Sequence, residues 1–269
     1  MELKKIYEAN RIVWNNKVES HLASEMYDMD AFRRGKNSLK HVEIEHLDHI
    51  EGKSILHLQC HFGQDSLSLQ RMGARVTGVD ISDKAIQKAR ELSTELGLET
   101  EFVLCNVLET DKHINKQFDM VFTSYGTVVW LADINKWANI VSKMLKPGGT
   151  FLMADFHPVM YMLDDDFDQL GYPYFTQDKP FHDNSTGTYA DSEADVTGDQ
   201  YFWNHPTSNV MSALLKEGLE LEVFKEFPYS CYNCFPGMKK LDEDKYVFEK
   251  HQGRIPYMFL MKWKKKPQV

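Results

Sequence analysis

The chain has 269 residues and a formal charge of −9, a balance that argues against a broad nucleic-acid-binding surface, so no nucleic-acid partner is expected. Its 42% hydrophobic content suffices for the core of one large α/β domain. No apolar run approaches the roughly 20 residues that span a bilayer, and the start M-E-L-K-K-I-Y-E-A-N has no signal-type apolar core, so a cytoplasmic protein without membrane segments is expected. In residues 1–50, Ile6, Ile12, Val13, Trp14, Val18, Leu22 and Met26 recur at helical spacing, with aromatic residues on the same face. Glu43 to Ile50 reads as a further helix with Ile44, Leu47 and Ile50 inward. His41, His46 and His49 match no metal-binding spacing, so no metal is expected.

The stretch S-I-L-H-L-Q-C-H-F-G, Ser54 to Gly63, combines an apolar run with a sharp break. The run suits a strand buried in a parallel sheet. Helical spacing follows at Leu67, Leu69 and Met72, stopped by Gly73. A second run, Arg75 to Val79, ends on Asp80. This opens a doubly wound α/β fold, which binds ligands at the carboxyl ends of its strands. A dinucleotide turn needs glycines where this chain has Gln59, His61 and Gln64, whose side chains would crowd a pyrophosphate. A nucleoside without a pyrophosphate still fits, and Asp80 is placed to accept hydrogen bonds from both ribose hydroxyls.

The phrases I-L-H-L-Q-C-H-F-G and V-T-G-V-D-I-S resemble the first two motifs of class I S-adenosylmethionine-dependent methyltransferases, whose first motif reads roughly V-L-D-L-G-C-G-T-G. The chain keeps Cys60 and Gly63. It departs at His57, where an acid is common, and at Gln59 and His61, where glycines are common. The resemblance is narrowest to a bacterial subgroup of uncharacterised small-molecule methyltransferases. It implies that S-adenosyl-L-methionine is the cofactor and S-adenosyl-L-homocysteine the product. It also implies that Gln59, Cys60, His61, Gly63, Asp80 and Ile81 border the cofactor. An N-terminal extension in this family often covers cofactor and substrate, which makes Tyr7, Trp14, Asn15, His21 and Tyr27 lid candidates. Packing of Trp14 and Tyr27 onto the sheet is the other account.

Ser82 caps a helix from Asp83 to Leu96 that closes at Gly97. Glu101 to Cys105 is a third strand. By the family pattern Asn106 meets the adenine amino group and Val107 packs on its ring; an Asx turn is the other account of Asn106. Phe118 to Ser124 is a fourth strand matching F-D-x-V. By resemblance Ser124 and Tyr125 touch the methionine part and the acceptor, while Tyr125 and Trp130 either face the sulfonium or belong to the core. Ile134 to Leu145 is a helix. The family phrase L-K-P-G-G-T then leads into a fifth strand, Thr150 to Asp155. His157, just beyond it, is the general-base candidate, or else a histidine bonded to backbone.

Residues 159–205 read as an insertion with a hairpin formed by Gly187–Ala190 and 196–203, capping the acceptor. Its acids, among them Asp164, Asp165 and Asp166, either favour a cationic acceptor or form a solvated face. Asn209 to Glu217 is a helix. Leu219 to Phe227 and Pro256 to Trp263 are the last strands, and Lys264 to Lys266 reads as a solvated tail. Cys231 and Cys234 form a lone C-x-x-C.

The expectation is a Rossmann-like seven-stranded sheet of order 3-2-1-4-5-7-6 with strand 7 antiparallel, in one domain over 1–269. That domain divides into a helical cap (1–50), a cofactor core (51–158), a lid insertion (159–205) and C-terminal edge elements (206–269). The function expected is methyl transfer to a small-molecule acceptor. A non-catalytic cofactor-binding protein and a nicotinamide-dependent oxidoreductase are the alternatives.

Overall fold

A computed structural model of the chain describes residues 2–267 except 48 and 165; the Asp165 named above lies outside the described residues. Helix α1 (Leu3–Ala23) precedes two short helices, α2 (Met29–Arg33) and α3 (His41–Ile44). The central core then alternates: β1 (Ser54–Leu58), α4 (Gln64–Arg71), β2 (Arg75–Asp80), α5 (Asp83–Glu95), β3 (Glu101–Leu104), the single turn α6 (Thr110–His113), β4 (Phe118–Ser124), α7 (Ile134–Met144) and β5 (Leu145–Phe156). An insertion carries the short strands β6 (Phe181–Asp183) and β7 (Gln200–Phe202). The chain closes with α8 (Thr207–Lys216), β8 (Leu219–Phe227), a small hairpin β9 (Lys239–Asp242) and β10 (Lys245–Val247), and β11 (Met258–Lys265).

Seven strands form one sheet in the order β3-β2-β1-β4-β5-β11-β8. Strands β1 to β5 pair in parallel, and β11 is antiparallel to both neighbours. This is the expected order, with β8 and β11 as the sixth and seventh strands. β1 is buried from Ile55 to Leu58 because strands flank it on both edges and helices cover both faces. Ser82 caps α5 by accepting a hydrogen bond from Ala85 N at 3.1 Å.

Three local expectations are corrected. The insertion hairpin pairs Phe181–Asp183 with Gln200–Phe202, so its first strand is not Gly187–Ala190. There the Thr188 hydroxyl accepts from Ala190 N and Asp191 N, a local turn that takes the donors a strand would need. The helix expected over Glu43–Ile50 is only His41–Ile44. Tight bonds from His46 N to Glu43 O and Leu47 N to Ile44 O then end it, leaving Ile44 40% exposed. Lys264 and Lys265 belong to β11 rather than to a solvated tail. The Lys265 ammonium donates to the Ser142 and Leu145 carbonyls at 2.6 and 2.9 Å, where α7 ends and positive charge is favoured.

Gly63, the residue preceding α4, has φ of +79°, and a Cβ there would lie 2.6 Å from the Phe102 ring. Gly63→Ala should therefore destabilise the fold by about 3 kcal/mol, from left-handed strain plus overpacking, in urea unfolding; a loss below about 1 kcal/mol would contradict this packing.

Candidate active site

The turn after β1 has three residues in the left-handed region: Gln59 (φ 55°), His61 (φ 51°) and Gly63 (φ 79°). Only the last is a glycine. The turn thus keeps a backbone that glycine adopts freely while carrying two large side chains. Those side chains hold it in place. Gln59 Nε2 donates to the Thr127 carbonyl at 3.0 Å, tying the turn to the loop after β4. His61 Nε2 and His21 Nδ1 share a hydrogen bond at 2.9 Å. Burial pushes both imidazoles far down, His21 to about 2 and His61 to about 3, so the pair is neutral.

Two carboxylates at strand ends organise the loops. Asp80 closes β2: its Oδ2 accepts from His61 N and its Oδ1 from Ser82 N, each at 2.8 Å. Burial raises its pKa against the pull of these backbone donors. Asp155, near the end of β5, accepts from the backbone of Gly126, Thr127, Val128 and Phe156 and from the Thr127 hydroxyl. It fixes the course of the chain from Tyr125 (φ 34°) to Val128.

Between these loops lies a cavity of about 610 Å³, within the size range of small-molecule sites. Every residue expected to border a cofactor lines it: Gln59, Cys60, His61, Gly63, Asp80, Ile81, Asn106, Val107, Ser124 and Tyr125. Asn106 is also an Asx turn, with Oδ1 accepting from Leu108 N at 3.0 Å. Of the lid candidates, Tyr7, Trp14, Tyr27 and Trp130 line the cavity. Asn15 and His21 are not in its wall. Asn15 Oδ1 instead accepts from the Ser82 hydroxyl at 2.6 Å and its Nδ2 donates to Asp83 at 2.8 Å, clamping α1 to the start of α5. His21 is fully buried behind His61. The Tyr27 and Tyr189 hydroxyls meet at 2.5 Å, joining the N-terminal segment to the insertion.

His157 is not in the cavity wall. It is 4% exposed, its Nδ1 accepts from Val159 N at 3.2 Å, and its Nε2 faces Glu226 of β8 at 3.0 Å. Both ring nitrogens are committed to structure, so the general-base expectation for it has no geometric support. Cys231 and Cys234 are free and buried.

Three polar residues of the cavity wall, Lys17, Asp65 and His57, and Glu43 outside it were given no site role from sequence. Lys17 lines the cavity from α1, one helical turn beyond Trp14. Asp65, in the first turn of α4, accepts from the Ser38 hydroxyl at 2.6 Å and the Ser124 hydroxyl at 3.0 Å. His57 stands below, bonded to the Ser66 hydroxyl at 2.8 Å and to that of Ser124 at 3.3 Å. Negative charge at this point therefore comes from α4 rather than from β1. Glu43, fully buried in α3, makes no carboxylate hydrogen bond among the described residues. Burial pushes it up to about 8, and the Asp65 charge adds to the rise.

A family model described as "Methyltransferase domain" matches residues 49–202, more than half of the chain. The chain belongs to the methyltransferase-domain family. Curated relatives match part of the chain. Ubiquinone biosynthesis O-methyltransferase of Erwinia tasmaniensis is 31% identical over 105 residues, 39% of this chain and 43% of that protein. An uncharacterized methyltransferase of Synechocystis is 28% identical over 124 residues, 46% of this chain and 56% of that one. The chain thus spans about half the length of the curated relatives it matches. Among solved structures, a putative S-adenosylmethionine-dependent methyltransferase from Listeria monocytogenes superposes with a TM-score of 0.57 at 17% identity, covering 88% of this chain and 99% of that one. One from Mesorhizobium loti gives 0.54 at 17% identity, covering 86% and 99%. At that identity the likeness is one of fold. No helix among the described residues is long and apolar enough to cross a membrane.

Glu43 gives this methyltransferase-family chain a pH signature. Its folded pKa lies above its ordinary value of 4.5, so between about pH 4.5 and 8 the folded state holds a proton that the unfolded state has lost. Stability then falls as pH rises through that window, by roughly 1.4 kcal/mol per unit. Glu43→Gln should match the parent near pH 5 and exceed it by more than about 2 kcal/mol at pH 8 in urea unfolding. An equal difference at both pH values would contradict this.

Proposed function

We propose that the chain is a cytoplasmic S-adenosylmethionine-dependent methyltransferase, one domain over 1–269, acting on a small-molecule acceptor. The observation that carries the reading is Asp80 in the cavity wall, held by backbone donors beside a turn too encumbered for a pyrophosphate. The same turn disfavours a nicotinamide dinucleotide. The fit to a methionine-bearing nucleoside has further support. Gln59 Oε1 and His61 Nδ1 are buried in the turn without a hydrogen bond among the described residues, the first an unused acceptor and the second an acceptor or a donor according to the tautomer of the His21–His61 pair.

In this reading Asp80 accepts hydrogen bonds from the ribose hydroxyls. Asn106 and Val107 hold the adenine, and Gln59, Cys60, His61 and Gly63 shape the methionine end. The cofactor supplies a methyl group already activated by a sulfonium. What the chain contributes is alignment of the acceptor and exclusion of water. Tyr125, Trp14 and Trp130 suit the latter role and present rings to positive charge. The N-terminal segment and the insertion, joined through Tyr27 and Tyr189, together cover the cavity. His157 has no part in this reading.

Asp80→Ala should weaken S-adenosylhomocysteine binding at least about tenfold in titration calorimetry, the loss of about 1.4 kcal/mol expected for a charge-assisted contact. Unchanged affinity would remove Asp80 from the site.

A further inference from the structure

Lys17 is 5% exposed and lines the cavity. Its ammonium lies 4.8 Å from the Trp14 ring centre and 5.5 Å from that of Trp130, and the two indoles meet edge to face at 5.4 Å. Among the described residues its hydrogen-bond acceptor is Gln200 Oε1 of β7, at 2.9 Å. An ammonium has three N–H donors, and indole faces attract its charge without satisfying them. No carboxylate lies within ion-pairing distance among the described residues. Asp183 of β6 acts on Lys17 from further away and is itself held by Ser185 and by Gln200 Nε2. Burial pushes the ammonium down to about 8. Its charge still reaches the His21–His61 pair and helps keep both rings neutral.

A buried cation without a counter-ion is costly, and Gln200, the two indole faces and the more distant Asp183 offset only part of that cost. Gln200 places the hairpin directly against Lys17, and its amide spans the gap to Asp183, so the ammonium is fixed rather than free to swing to solvent. The cavity is the space from which a further hydrogen-bond acceptor could reach its remaining N–H donors. Lys17 contacts Gln200 of the insertion and the Trp14 and Trp130 rings, none of them assigned to the nucleoside, although its charge reaches His61 at the methionine end.

We propose that Lys17 is the subsite for a carboxylate on the methyl acceptor, so that the substrate is a small carboxylic acid whose carboxylate meets the Lys17 ammonium beside the Trp14 and Trp130 rings. The word acceptor rests on the function proposed above; the anion site does not.

The test compares acids with their uncharged amides. Thermal unfolding is followed at pH 7 with saturating S-adenosylhomocysteine, titrating benzoate and acetate against benzamide and acetamide. Benzoate should raise the midpoint by about 3 °C at ten times its Kd, and benzamide should not. Lys17→Met should abolish the preference and Lys17→Arg should retain part of it. The parent comparison needs no variant, so a poorly folded Lys17→Met leaves the question decidable.

A parent protein that does not distinguish acids from amides, or a Lys17→Met protein that still does, overturns the proposal. So does a Lys17→Met protein that loses S-adenosylhomocysteine affinity tenfold while acids have no effect, since Lys17 would then serve the cofactor. A parent that binds no S-adenosylhomocysteine would sink the cofactor reading instead. The acid–amide comparison, run without nucleoside, would still judge Lys17.

Discussion

The site depends on a turn held in a conformation its own residues resist. Gln59 and His61 sit where L-residues pay about 1–2 kcal/mol each for left-handed backbone. The strain persists because the surroundings over-determine it: Asp80 takes the His61 amide, Thr127 takes the Gln59 side chain, and His21 takes the His61 ring. These three contacts come from β2, the β4 loop and α1. The turn is therefore the point at which core and N-terminal cap are joined, and it presents side chains where relatives of this motif commonly present bare backbone.

From that constraint the rest of the cavity follows in order. Asp80 and Asp155 fix the two loops at the carboxyl ends of β2 and β4, one on each side of β1. α1 lies across them, clamped by Asn15 to the start of α5. The inserted hairpin meets α1 through Gln200 and Asn10, whose side chain exchanges two hydrogen bonds with the Tyr201 backbone at 2.8 Å. The enclosed space is electrostatically uneven. Lys17 faces it from the roof, and Asp65 from the floor with Glu43 behind. Burial weakens the charged forms of Lys17 and Glu43 alike, by the same desolvation.

Much of this was legible in the residues. A buried strand, a tight break and a helix at Ser54–Arg71, followed by a strand ending in Asp80, have local causes: apolar runs, caps and stops. The same is true of the later strands, whereas the sheet order came from the family resemblance and not from local signals. The errors arose where non-local or side-chain hydrogen bonds decide the outcome. The 187–190 segment has strand-like residues, but the Thr188 hydroxyl makes it a turn. His157 stands at the functional edge in sequence, yet its buried ring is engaged by Glu226 of β8, 69 positions away, and lies outside the cavity wall. Lys17 left a faint signal, sharing the helical stripe of Tyr7, Asn10 and Trp14. Glu43 left none, because its burial and the Asp65 charge that acts on it come from residues only the fold brings near.

The most direct measurement is a crystal structure of the chain with S-adenosylhomocysteine bound. It should show the ribose hydroxyls within hydrogen-bond distance of the Asp80 carboxylate, with Gln59 and His61 still left-handed. A nucleoside bound away from Asp80, or a turn that must unwind before ligand enters, would contradict the account.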